Sequence, residues 1–346
     1  MRRISSPPSH TWMGHPIRYN VSSRWLGGRC VDGPGGGETA FSSNTKGFGE
    51  QPDRHGLSSA VEVRHDGREE IMPLIGMAGS SVMLLSATEA LKLAIDHGFE
   101  AFELLGEFPQ CVCDQIGRET RREMRRMVQD SGIRVAVHAP FTSLNIAAFN
   151  PGIRRQSIKQ ISDALDLCDD IGGRVLVVHN GDYVIPPEIK QQIPDATRYQ
   201  WELNVQAITE IAEHAAQRAV TLCLENTGFE AQSIDDGAED LLAIRAAVDL
   251  PALMFCIDVG HARLNHELDT IVEKLGPWTR HVHLADNLGG KDDHLVIGEG
   301  NLPYDGLIGF LRDFGHIVTL EVQHIGKDPE PAIRSRAYVQ KMLGFE

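Results

Sequence analysis

IRVAVHAP (133–140), IRRQSIKQISDALDLCDDIG (153–172) and RVLVVHNG (174–181) are three consecutive segments whose pattern decides the fold class. The first is an apolar run, interrupted only by Arg134 near its start, that ends in His138. The second has apolar residues at helical spacing, and the third repeats the first, ending in His179. A run that is apolar throughout, not at alternate positions, marks a strand covered on both faces. Parallel strands are covered this way, and each needs a crossover helix to reach the next. The same unit recurs on either side. Upstream, PLIGM (73–77) precedes SATEALKLAIDHG (86–98), with Ser86 as N-cap and Gly98 as the stop, and EAFELL (100–105) precedes RETRREMRRMVQDSG (118–132). Downstream, WELNVQAITEIAEHAAQRA (201–219) completes the fourth unit after a Pro-rich excursion. VTLCLENT (220–227), ALMFCIDVGHA (252–262), HVHLADN (281–287) and HIVTLEVQH (316–324) each lead into a further helical pattern. Eight strand-then-helix units in about 275 residues predict an α/β fold of the (β/α)8 TIM-barrel type. An open doubly wound sheet is the alternative, but no GxGxxG follows the first strand.

Placed on this pattern, the polar residues fall at one end of the strands. His138 ends the third run, His179 the fourth, Glu225 the fifth, Asp258 and His261 the sixth, His283 the seventh and Glu321 the eighth. The stretch RHVHLADNLGGKDDHLVIGEGN (280–301) adds Asp292 and His294 from a Gly-rich loop, in which Gly298 and Gly300 give the backbone freedom to fold over the mouth. Taken singly, a histidine at a strand end is a satisfied polar residue, and the Glu of LEN caps a helix. Nine imidazoles and carboxylates on one barrel rim point instead to a metal site, because barrel enzymes keep their chemistry at that end. This donor set suits zinc, manganese or another divalent first-row ion, and without Cys ligands it is not a structural zinc site.

Bulk properties narrow the partners. The net charge is −15 at pH 7, and residues 1–70 are nearly balanced, so the acidity belongs to the remainder. Such a surface disfavours nucleic acid. The one dense basic run, Arg118, Arg121, Arg122, Arg125 and Arg126, falls on the second helix and reads as a solvated face away from the mouth. The six cysteines form no CxxC pair; Cys223 and Cys256 read as small buried hydrophobes, and Cys111-x-Cys113 as an inert loop. Reduced thiols, no apolar stretch near the ~18 residues of a membrane span and no secretory h-region point to a cytoplasmic protein. Residues 1–71, rich in Gly, Ser and Pro, read as a low-complexity, disordered extension or a misassigned start, with the barrel occupying 72–346. A homodimer is expected from frequency alone.

HAPFTSLN, VVHNGD, LENT, CIDVGHA, HVHLADN, DDHLVIGEG and LEVQH, in this order, resemble the xylose-isomerase-like TIM-barrel superfamily, from about Met72 to the C-terminus. That superfamily includes isomerases and epimerases of sugars and sugar phosphates, and the type-IV apurinic endonucleases. For the former, the resemblance implies one divalent ion held by Glu225, Asp258, His283 and Glu321. The ion would polarise a hydroxy-carbonyl substrate so that a proton passes through a metal-stabilised enediolate. Glu225 and Glu321 would exchange that proton and His261 would orient the substrate, with Asn226, Arg263 and Phe141 as further substrate contacts. For the latter, it implies up to three zinc ions. One would lie on His138, His179 and Glu225, a second on Glu225, Asp258, His283 and Glu321, and a third on His261, Asp292 and His294. Against the nuclease stand the acidic barrel and the loop GEFPQCVCD (106–114), which has no Arg or Lys to enter a DNA groove. The expected activity is therefore a metal-dependent isomerase or epimerase of a small carbohydrate, with a zinc-dependent apurinic endonuclease as the alternative.

Overall fold

The structure is a computed structural model, and it describes residues 60–63, 69–227, 232–235 and 237–345. Eight parallel strands close into a barrel: β1 (Leu74–Ala78), β2 (Ala101–Leu105), β3 (Arg134–His138), β4 (Val175–Val178), β5 (Thr221–Glu225), β6 (Leu253–Asp258), β7 (Thr279–Leu284) and β8 (Ile317–Leu320). Each pairs with the next in sequence and β8 pairs with β1, so no edge is left open. The α/β barrel read from the apolar runs is the observed fold.

Two hydrophobic populations explain why the runs are continuous. Outward side chains such as Phe102, Phe255 and Leu104 are buried against the helices. Inward ones form a separate cluster of mostly small residues, including Ala101, Ala136, Cys223 and Cys256, which fills the barrel axis. Cys223 and Cys256 are thus barrel filling, as their sequence context predicts. Both faces of each strand lose water, which sets a period of one instead of two.

The first helix, Ala87–Asp96, starts at the expected Ser86 with a full capping box to Glu89, and Gly98 leaves it with φ 67. The basic helix, Arg118–Ser131, is less uniform than a solvated face. Arg121 reaches the carbonyls of Ile116 and Cys113 at 2.8 Å each and Asp170 at 2.8 Å, tying a loop and the next helix together. Cys111 and Cys113 are buried with their sulfurs 3.8 Å apart.

The two strands Ala60–Val63 and Glu69–Met72 pair antiparallel, within the stretch expected to lack structure. Their short apolar alternation, AVEV against EEIM, is a strand pattern that composition alone obscures. The rest of the expected extension lies outside the described residues. Among the described residues, no helix is long and apolar enough to cross a membrane.

Candidate metal centre

The strand register brings the carboxyl ends of β3 to β8 to a common level: Glu225 lies beside Cys256, Asp258 beside His283, and His283 beside Thr319. All nine residues expected on the rim meet there. Glu225 is the hub. Its Oε2 lies 3.3 Å from His138 Nε2 and 3.0 Å from His179 Nε2, while its Oε1 lies 3.1 Å from His283 Nδ1. Glu321 Oε2 is 2.9 Å from the same His283 nitrogen. Donor atoms of Glu225, Asp258, His283 and Glu321 all lie within 4.8 Å of one another, and so do those of His138, His179 and Glu225 and those of His261, Asp292 and His294.

The backbone explains how each donor is aimed. Asp258 ends β6 and caps the helix Val259–Leu264, accepting the His261 amide on Oδ1 at 2.6 Å. That leaves Oδ2 buried without a hydrogen bond, while Glu321 Oε2 has only the His283 nitrogen at 2.9 Å beside it. Carboxylate oxygens crowded around one imidazole nitrogen, with Asp258 Oδ2 left unpaired, fit a cation, because leaving such an atom unpaired in a buried site costs several kcal/mol. His138, His261 and His294 place Nδ1 against the backbone oxygens of Ala139, Asn226 and Glu321 at 2.9, 2.9 and 3.0 Å. Nδ1–H donation to these carbonyls leaves Nε2 for a ligand.

The loop after β7 is folded around Asp286. This carboxylate accepts the amides of Asn287, Gly298 and Leu302 at 3.0, 3.0 and 3.1 Å. A side chain at Gly300 would collide with it, and Gly298 has φ 95. His294 itself stands at φ 44, a left-handed conformation that costs a non-Gly residue free energy and is tolerated where function holds it.

Electrostatics tell the same story from the side of the protons. Burial alone would push His138 down, but Glu225 outweighs it and raises the imidazole to about 9. Burial also opposes charge on His261, which the Asp258 charge and the Asp292 hydrogen bond nevertheless raise to about 10. Burial, with Glu321 and Glu225 nearby, lifts Asp258 to about 7 despite His261. Without an ion the rim therefore gathers protons as its positive charge, and an incoming cation must displace those on its ligands.

The remaining expected contacts divide. Phe141 lines the cavity, a pocket of about 310 Å³, and its ring stacks on His179 at 4.8 Å. Asn226 is buried, with both ends of its amide engaged by the Asp258 backbone at 2.8 and 2.9 Å, so it steadies a ligand strand and has no free group for substrate. Arg263 is outside the cavity lining and lies against Gly289, with Nη1 buried and unpaired. Asn145, Asn180 and Gln323 line the cavity and were not singled out from the sequence, since an amide in a loop carries no pattern. Glu103 and His281 also escaped notice. The available signal was a carboxylate in the middle of the apolar strand AFELL.

Comparison with known proteins identifies the same barrel family. A family model described as a xylose isomerase-like TIM barrel matches residues 91–342. The chain is 23% identical over 247 residues to the fructoselysine 3-epimerase of Escherichia coli O157:H7, covering 70% of this chain and 86% of that protein. It is 27% identical over 246 residues to the probable endonuclease 4 of Aquifex aeolicus, covering 66% of this chain and 83% of the relative. The crystal structure of a D-tagatose 3-epimerase-like protein superposes with a TM-score of 0.68 at 25% identity, covering 78% of this chain and 97% of that one.

Proposed function

Because this chain belongs to the xylose isomerase-like TIM barrel family, we propose that it is a divalent-metal-dependent isomerase or epimerase of a small carbohydrate or related hydroxy-carbonyl compound. The observation that carries the reading is the convergence of donor atoms of Glu225, Asp258, His283 and Glu321 within 4.8 Å of one another, with Asp258 Oδ2 buried and unpaired among them. When bound there, zinc or manganese supplies a Lewis acid for adjacent carbonyl and hydroxyl oxygens. Glu225 and Glu321 approach the same His283 nitrogen from different strands. One takes the proton from the carbon beside the carbonyl. The other returns a proton to the opposite face, which inverts that centre, or to the neighbouring carbon, which isomerises the sugar. His261 and the amide of Gln323 orient hydroxyl groups, Asn145 and Asn180 hold the neighbouring loops with their amides, and Phe141 covers an apolar ring face. A cytoplasmic homodimer belongs to the same proposal.

A second reading rests on one specific feature. Glu225 turns one oxygen to His138 and His179 and the other to His283, and so could bridge two ions, with His261, Asp292 and His294 holding a third. Three zinc ions would suit phosphodiester hydrolysis at an abasic site. Against it, no lysine or arginine is among the described residues lining the cavity, and the chain carries −15. A nucleic-acid backbone needs cations that the lining of this cavity does not offer.

Incubation of the manganese-loaded protein in D2O with a panel of ketoses and ketose phosphates tests the first reading. Deuterium should enter at least one sugar beside its carbonyl; no incorporation into any member would remove its support.

A further inference from the structure

Behind His283, on the side away from the cavity, Glu103, His281 and Thr319 are buried in the barrel axis and have no part in the chemistry above. Glu103 comes from β2, His281 and His283 from β7, and Thr319 from β8, so a side chain crosses the interior to join strands that are not neighbours. The surrounding filling is small and mostly apolar. A carboxylate there costs several kcal/mol unless it is paired, and an apolar residue would fill the space without that cost.

The pairing is directional. Glu103 Oε2 lies 2.6 Å from His281 Nε2, and His283 Nε2 sits between both Glu103 oxygens, 3.1 Å from Oε1 and 3.2 Å from Oε2. A carboxylate only accepts, so both imidazoles donate from Nε2. His281 Nδ1 is buried without a partner, which suits a lone pair and not an N–H, so His281 is neutral. With its Nε2–H held by Glu103, His283 has Nδ1 left to face Glu225 and Glu321 at 3.1 and 2.9 Å. This is the reverse of His138, His261 and His294, whose Nδ1 atoms face backbone oxygens. We propose that Glu103 is a positioning residue that fixes His283 as the Nε2–H tautomer, aims its Nδ1 lone pair at the ion and thereby sets metal affinity. The inference rests on the reading of His283 as a ligand.

Glu103→Gln removes the charge, and with either placement of its amide an N–H2 donor faces His283 Nε2, which lies 3.1 and 3.2 Å from the two Glu103 oxygens. Zinc titrated calorimetrically into the metal-free full-length variant should bind about 10–100-fold more weakly than to the unmodified protein, as is typical when the partner of a ligating histidine is lost. Thr319→Val, which removes only the hydroxyl 2.9 Å from His281 Nε2, should leave zinc affinity unchanged. On the zinc-loaded unmodified protein, long-range 1H–15N correlation of labelled histidines should show His283 protonated at Nε2 and ligated through Nδ1. This readout decides the matter even if Glu103→Gln does not fold. Equal zinc affinity in Glu103→Gln, or ligation of His283 through Nε2, overturns the inference while leaving the metal site intact. Absence of zinc binding by the unmodified protein overturns the metal reading itself, and this inference with it.

Discussion

Glu225→Gln is expected to lower turnover of any sugar that exchanges its proton with solvent by about 10²–10⁴-fold, the contribution of a well-placed acid–base group. The substitution is nearly isosteric, so the effect is electronic. As a carboxylate, Glu225 serves two imidazoles on Oε2 and a third on Oε1. Glutamine has one acceptor oxygen, no charge and an N–H2 group that must face at least one of those rings. It can neither take a proton from carbon nor ligate as an anion. The same change leaves raised histidines such as His138 without their counter-charge in a buried site, and breaking such a pair costs on the order of 3–5 kcal/mol. The metal-free variant should therefore also unfold at a lower temperature. Turnover near that of the unmodified protein would mean that proton transfer does not run through Glu225.

The second large effect is on ion content. His294 Nε2 lies 2.5 Å from Asp292 Oδ2, and His261 Nε2 lies 3.3 Å from the same oxygen, forming a group separate from the Asp258, His283 and Glu321 set. On the isomerase reading the ion sits on the latter set, so His294→Ala should keep about one ion per chain by elemental analysis and lose activity only through a looser loop. On the three-ion reading it should lose one zinc of three, and hydrolysis with it. The variant keeps a Cβ at φ 44, so the left-handed strain is not relieved and cannot disguise the outcome.

Much of this was legible in the sequence because barrel geometry is so regular. Once the apolar runs from PLIGM to HIVTLEVQH are strands, the residues that end them must share a rim, and His138, His179, Glu225, Asp258, His283 and Glu321 follow. Asp292 and His294 follow less directly. They depend on a loop that turns around Asp286, whose three amide contacts come from positions up to sixteen residues away. Glu103 was not legible. Its meaning arises only when closure of the barrel sets β2 across from β7, and nothing in AFELL announces a histidine partner 180 residues later. The resemblance implied Asn226 as a substrate contact; only the register of β5 against β6 reveals that its amide is occupied by the Asp258 backbone. The pairing of Ala60–Val63 with Glu69–Met72 was hidden for a simpler reason. Four-residue strands are too short to stand out beside a Gly- and Ser-rich run.

The most direct test titrates manganese or zinc into chelator-stripped protein while following, in the same samples, proton exchange on a responsive ketose and nicking of a duplex bearing one abasic site. The account predicts no exchange without metal, exchange that saturates at about one ion per chain, and an intact duplex throughout. Nicking that saturates near three zinc ions, with no exchange on any sugar, would contradict it.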